Sequence, residues 1–370
     1  IWNRPSSRRG GGAGILLPVD VGWVIWAFRF HRTPPQVLML CPPYPDRATD
    51  SNRAGFRNHI LTHEILGIPV HLLATDRKRR LNNASTVSHL VTNELPFGCI
   101  QKTDLGISTA SPLYSLFNLA SHVDENHLVM AMYEFCGTFS IFRPSPVVEA
   151  LLDSIDSSEL LPRSFGWRRV KSSSGRKTDL WRREPLIELG ELGQFADAMK
   201  SERGGRRFAR AVKRVTGVTA SPFEVQASML FSTRRCKGGE GFSGFVNNER
   251  IPLSASARRI YGKSTCYADL LFDVPNGASP LIVECQGKVV HDDYDSAISD
   301  SDRTTALQQM GFTVMPLTYR QISDRANFDT VRRMVARQIG IAYRSKSSKE
   351  IRCENDLRRN IFIDWTTLGR

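Results

Sequence analysis

The sequence predicts an α/β protein with two folded regions joined by a basic stretch. Helical and strand-like hydrophobic periods alternate along the chain, and turn and cap signals separate them. From residue 215 onward the order reads helix, strands, helix, strand, helix. The third observation is size: 370 residues, 41% of them hydrophobic, are enough for two or three domains rather than one.

Residues 1–14, with Arg8, Arg9 and a glycine run, read as a disordered N-terminus. The chain opens on Ile1 rather than Met, as a fragment or an over-extended translation would. The apolar run from Ile15 to Phe30 is interrupted by Asp20 and Arg29. It is too short to span a bilayer and lacks the small-residue cleavage site of a signal peptide. Residues 15–160 are expected to form a mixed α/β N-terminal domain. Ile68 to Leu73 reads as a strand, followed by the basic run Arg77, Lys78, Arg79, Arg80. Ser111 before Pro112 marks a helix start, with serine as N-cap and proline at the first helical position. Leu113, Leu116, Phe117 and Ala120 then repeat at helical spacing. A second helix is expected from Glu125 to Phe135, stopping at Gly137.

Residues 161–214 read as a basic linker or arm. Between Arg163 and Arg214 there are 15 basic and 6 acidic residues, which is most of the excess behind the net charge of +13. Two readings stand side by side, a solvated connector and a phosphate-contacting arm in which Arg206, Arg207 and Arg210 meet nucleic acid. The 7 cysteines are scattered without a CxxC spacing, which argues against a zinc knuckle or a disulfide framework and fits a reducing cytoplasm. His59 and His63 share helical i, i+4 spacing, but no third zinc ligand lies nearby.

Residues 215–345 carry the clearest pattern. Ser221-Pro222-Phe223-Glu224 has capping-box spacing and opens a helix to about Arg234. Phe245, Val246 and Ile251 belong to a first strand. Cys266 to Val274 alternates, with Tyr267, Asp269, Leu271 and Asp273 on one face and Ala268, Leu270, Phe272 and Val274 on the other. Asn276-Gly277 is a hairpin turn leading into a strand from Leu281 to Lys288. A helix from Ser296 to Met310, a short buried strand from Thr313 to Leu317 and a helix from Ser323 to Ile339 complete the region. Residues 346–370 read as a C-terminal tail.

The period of two has a chemical consequence. Glu284, Gln286 and Lys288 share a strand face, and Asp269 lies on the polar face of the neighbouring strand. Two carboxylates so placed, beside an amide and an ammonium, can hold Mg²⁺ or Mn²⁺, since such ions take oxygen ligands and keep several waters. The cation would polarise a phosphodiester and acidify a water. The competing reading is a solvated strand face, the commoner role of such residues. Three features lower its weight: His291 past the strand end, Asp300 and Arg303 one turn apart on the next helix, and Glu224 near the start of the preceding one. Glu224 serves either as a metal ligand or as the capping-box residue. His291 is either a proton carrier or a surface residue. Arg303 either clamps a phosphate or pairs with Asp300 or Asp302.

The run Asp269 … Glu284-Cys285-Gln286-Gly287 … His291 … Asp300-Ser301-Asp302-Arg303 … Ala306-Leu307 … Gly311-Phe312-Thr313-Val314 resembles the DUF559 domain, a branch of the Vsr-like PD-(D/E)XK nucleases. Upstream, Pro69 to Leu73, Ser111-Pro112 and Tyr133-Glu134-Phe135-Cys136-Gly137 are similar to stretches of actinobacterial proteins with this domain at their C-terminus. Some of these carry an N-terminal region related to AbiEi-type toxin–antitoxin regulators. The resemblance implies a restriction-endonuclease-like core, a metal at Asp269 and Glu284 with Glu224 reaching it, and catalytic Asp269, Glu284, Gln286, Lys288 and His291. It departs from the family at Gln286, where a carboxylate is usual.

The expected function is therefore a metal-dependent endonuclease hydrolysing DNA phosphodiester bonds, in defence, repair or a toxin–antitoxin setting. The alternative is a catalytically degenerate nucleic-acid-binding regulator. DNA is the expected partner, RNA the other candidate, and no membrane contact is expected.

Overall fold

Local signals place the helices where the chain must turn. Ser111 Oγ accepts from the Tyr114 amide, Asp124 caps the next helix through the Asn126 amide, and Ser221 Oγ accepts from the Glu224 amide. The computed structural model describes residues 107–158, 166–172, 174–274, 279–287 and 294–369. Before these it describes residues 24–25, 28–39, 41, 58–74, 77, 80, 82–91, 95–96 and 98–103. The expectations for residues 1–14, the Asn276-Gly277 turn, Lys288 and His291 lie outside the described residues.

In chain order the elements begin with β1 (Val24–Ile25), α1 (Phe28–His31), α2 (Pro35–Met39), a π-helical turn (Leu61–Leu66), β2 (Val70–Ala74), β3 (Thr86–Leu90), β4 (Ile100–Lys102) and β5 (Ser108–Ala110). There follow α3 (Pro112–Leu119), α4 (Glu125–Cys136), β6 (Phe139–Ile141), α5 (Pro146–Ser158), β7 (Arg168–Lys171), β8 (Lys177–Arg182), α6 (Leu189–Ala198), α7 (Gly205–Val212) and α8 (Pro222–Ser232). The last part holds β9 (Phe245–Pro252), α9 (Ala255–Tyr261), β10 (Thr265–Phe272), β11 (Leu281–Gln286), α10 (Tyr294–Gln309), β12 (Thr313–Thr318), α11 (Tyr319–Ser323), α12 (Arg325–Gln338) and α13 (Ser348–Ile361).

The fold is mixed α/β, with three sheets among the described residues, ordered β3-β2-β1-β5-β4, β6-β8-β7 and β12-β11-β10-β9. No helix among the described residues is long and apolar enough to cross a membrane. In the last sheet β9, β10 and β11 are antiparallel and β12 runs parallel to β11. The strand expected to be buried, β12, is an edge strand with only Leu317 fully covered. Pro316, which has no amide to donate, fits that edge.

Two segments differ from the sequence expectation. Residues 161–214 are not simply a linker: they supply β7, β8, α6 and α7, and they place Leu192, Phe208 and Ala211 in the largest hydrophobic core. The expected tail, residues 346–370, forms α13 and a 3₁₀ turn at Trp365–Thr367, with Leu357, Ile361, Trp365 and Leu368 in that same core. Its apolar stripe is hard to see because α13 buries charge. Lys346 Nζ donates to Glu240 Oε1 (2.6 Å) and Glu354 Oε2 (2.9 Å). Arg332 Nη1 reaches the same two carboxylates, and Arg358 Nε reaches Glu354 Oε1 (3.1 Å).

The largest core runs from Phe28 to Leu368, so the two ends of the described chain share it. Arg32 ties them polarly. Its guanidinium donates to the Leu368 and Trp365 carbonyls (3.2 and 2.9 Å) and to Glu134 Oε1 (2.8 Å), a carboxylate that also accepts from Ser140 Oγ and the Ile141 amide. Two backbone carbonyls on the guanidinium and the Ser140 hydroxyl and Ile141 amide on Glu134 Oε1 keep the charged pair hydrogen-bonded rather than stranded.

Candidate functional site

Asp269 sits where the β9–β10 ladder is interrupted. Pairing runs from Thr265↔Pro252 to Ala268↔Glu249 and resumes at Leu270↔Asn247, skipping Asp269 and Asn248. Asn248 has φ of 52°, a left-handed conformation that asparagine tolerates better than most residues. The faces change there. Cys266 and Ala268 pack with Ile282, Ala306 and Leu307, whereas Leu270 and Phe272 join the large core. The expected single apolar face through Ala268 and Leu270 is therefore divided, because the irregular backbone turns the strand at Asp269.

The Asp269 side chain reaches across to β11, where its Oδ2 accepts from the Cys285 amide (2.7 Å). Asn247 holds the other side: its Nδ2 donates to the Asp269 carbonyl (3.0 Å) and to Ser228 Oγ (2.7 Å), while its Oδ1 accepts from Thr216 Oγ1 (2.6 Å). Sequence reading passed over Asn247. Its only signal is two adjacent asparagines in a strand, where asparagine is depleted.

Glu284 is buried on β11 and is gripped by Arg303 of α10. Nη1 lies 2.9 Å from Oε2 and Nη2 donates to Oε1 (3.0 Å), with a further contact to the Tyr267 carbonyl. Such a fork occupies both oxygens. Arg303, expected to clamp a phosphate or to pair with Asp300 or Asp302, is engaged with Glu284, and Asp300 is close enough for its charge to be felt at Asp269. Glu224 is buried at the start of α8, where Oε1 accepts from Ser221 Oγ and Oε2 from the Ala220 amide (2.8 and 2.7 Å). This is a variant of the capping box, shifted by one residue from the usual N-cap amide.

These three carboxylates sense one another. Burial first, then Asp269, push Glu284 up to about 8, with Arg303 opposing. Burial and Asp269 likewise push Glu224 up to about 8, against the Ala220 amide and Ser221 hydroxyl. Asp269 is raised by burial, with the Cys285 amide, Arg303 and Arg182 opposing. Asp269 raises both glutamates, so the charge that each of the three carries depends on the others.

Among the described residues, no group of three or more His, Cys, Asp or Glu side chains is placed to hold a metal ion. The donor set explains this: both oxygens of Glu284 and both of Glu224 already accept hydrogen bonds, as does one of Asp269. As arranged, these residues do not fit Mg²⁺ or Mn²⁺. Gln286 is exposed at the end of β11, away from the buried position of Glu284. His63 pairs with Glu64, and His59 Nδ1 accepts from the Leu61 amide.

The basic candidates lie on α7, a strongly amphipathic helix. Gly205, Phe208 and Ala211 face inward, and Arg206 and Arg210 are exposed, with Arg203 and Lys213 exposed just beyond its ends. Arg207 contacts the Val123 carbonyl, and Arg210 meets Glu125 at 3.4 Å. Arg214, also on Glu125, is half-buried.

No protein-family model matches this chain, and no match emerges among curated proteins or solved structures.

Proposed function

We propose that the chain is a nucleic-acid-binding protein of the toxin–antitoxin regulator type. In this reading its C-terminal unit has a restriction-endonuclease-like, Vsr-like core whose acidic site is held closed by Arg303. The observation that carries the reading is the fork of Arg303 on Glu284: a fixed guanidinium supplies the positive charge that a hydrolytic site would draw from a cation. The exposed cations of α7 offer the phosphate-contacting face.

Binding to duplex DNA is expected to weaken steeply as salt rises. Arg206→Gln should reduce the slope of log K against log salt by about 0.9, the share of one phosphate contact, while Arg207→Gln should change it less because Arg207 is engaged with the Val123 carbonyl. A fluorescence-anisotropy titration on the full chain checks this. An unchanged slope for Arg206→Gln removes α7 from the interface, and tighter binding to single-stranded RNA than to duplex DNA changes the partner.

A second reading, metal-dependent endonuclease, is favoured by one observation, the gathering of Asp269, Glu284 and Glu224 in a single buried site. Plasmid cleavage with Mg²⁺, Mn²⁺ or EDTA decides between the two. The binding reading expects no cleavage by the wild type, and none by Gln286→Asp. Metal-dependent nicking that Glu284→Gln abolishes would replace it with the enzyme.

A further inference from the structure

A second site lies far from the acidic one in sequence, in a cleft of about 460 Å³ between the first sheet, α3 and the α6–α7 connection. Its apolar wall includes Leu73, Leu95, Phe117 and Met199, and its polar side is formed by His89, His122, Asn118, Ser121, Glu202 and Arg203. The volume falls in the range that accommodates a small organic ligand.

The polar side has an ordered build. β2 and β3 are parallel neighbours, with Leu73 opposite His89. His71 Nδ1 and His89 Nε2 are 2.7 Å apart, so one ring donates to the other, and the two rings stack at 5.0 Å. His122, just past α3, meets His89 edge-on at 5.6 Å. Beside them Asn118 Nδ2 is shielded from solvent and has no hydrogen-bond partner among the described residues. A buried amide donor in that state costs free energy until an acceptor reaches it. Among the described residues lining the cleft or packed against it, three imidazoles in contact, a guanidinium and an orphaned amide gather donors and potential positive charge around one acidic side chain, Glu202.

We infer that this cleft binds a small organic anion, a carboxylate, sulfonate or phosphate ester carried on an apolar body. The charged group meets His89, His122, Arg203 and Asn118, and the body lies on Phe117, Leu95 and Met199. The site is independent of the nucleic-acid reading above.

The chemistry makes binding pH-dependent. Burial and neighbouring positive charge keep all three histidines below the usual imidazole range: His71 and Arg80 act on His89, His122 and Arg29 on His71, and Arg203 on His122. His89 is lowered to about 4. Tyr114, also on the wall, is raised by burial and stays neutral, and Glu202 is the acidic neighbour. An incoming anion favours the protonated imidazoles, so it raises their proton affinity and takes up a proton. Affinity therefore increases as pH falls.

Calorimetric titration of the full chain tests this with four probes. They are 2-naphthalenesulfonate, whose charge is constant over the range, 2-naphthyl phosphate, the neutral 2-naphthol, and inorganic phosphate. The sulfonate is expected to bind at least about tenfold more tightly at about pH 5.5 than at about pH 8, with net proton uptake shown by comparing buffers of different ionisation enthalpy. 2-Naphthol and inorganic phosphate should each bind far more weakly, since each lacks half of the complement. Arg203→Ala, at an exposed position, should weaken the sulfonate about tenfold, a loss of one charge-assisted hydrogen bond. His122→Gln should flatten the pH dependence. Equal sulfonate affinity at both pH values, 2-naphthol binding as tightly as the sulfonate, or no binding of either anion overturns the inference. If His122→Gln proves unfolded by circular dichroism, the Arg203→Ala result and the proton uptake of the wild type still decide it.

Discussion

Arg303→Met is expected to cost about 3–5 kcal/mol of stability near pH 8, the range seen when one partner of a buried pair is removed. The methionine fills much of the space but leaves Glu284 without the guanidinium that grips it and Asp269 without that nearby charge, while Glu224 keeps the charge of Arg182. The pH dependence has a definite sign. Glu284 and Glu224 are raised to about 8 in the folded protein, above their ordinary value of 4.5. Between those limits the folded chain binds more protons than the unfolded one, so the site disfavours folding progressively as pH rises through the window and not below it. Losing Arg303 raises the proton affinities further. The destabilisation should therefore be small near pH 5, where the carboxylates are protonated, and large near pH 8. Urea denaturation at the two pH values measures it, and an equal loss at both would show that Arg303 acts through its packing and its Tyr267 contact instead.

The second large effect lies in α13. Glu354→Gln keeps the shape of the side chain and removes the charge that Arg332, Lys346 and Arg358 share. Lys346 is then left with Glu240, Arg332 keeps Glu240 and Asp329, and Arg358 loses its carboxylate. About 3–5 kcal/mol of destabilisation is expected by denaturant titration. Asp356→Asn, which removes an exposed partner of Arg359 on the same helix, is the control and should change the midpoint little. Comparable losses for the two variants would mean that the buried cluster carries no special weight.

The legible parts of the fold were those with local causes. Ser111-Pro112, Ser221-Pro222, the alternation around Leu270 and the run from Leu281 were read from cap and period alone, and each element formed within a few residues of its expected bounds. What stayed hidden was non-local. No sequence period announces that the Asn248 backbone turns left-handed and redirects the strand at Asp269, since asparagine in a strand signals weakness without saying where the side chains go. The helical nature of residues 348–361 was masked because charges on its inner face are neutralised by Arg332 and Arg235, the latter more than a hundred residues upstream. The folded state of residues 161–214 was masked in the same way: Arg169 and Lys177 look like solvated charge but pair with Glu149. At the candidate site, Asp269, Glu284 and Glu224 were found because carboxylates near one sheet are conspicuous. The fork of Arg303 on Glu284 depends on how α10 lies across β11, which spacing along the helix does not specify.

The clasp at Arg32 bears on how the chain is made. Synthesis proceeds from the N-terminus, so the carbonyls of Trp365 and Leu368 that receive the Arg32 guanidinium are made more than three hundred residues after it. Phe28 and Arg32 must therefore wait, with their core incomplete, until residues 365–368 have emerged. Contacts separated by more than three hundred residues are entropically slow to close. A nascent chain stalled before residue 365 would leave Arg32 without its two backbone acceptors and Phe139 without the Trp365 ring that packs on it. Chains that stop there would expose apolar surface that Trp365 and Leu368 otherwise cover.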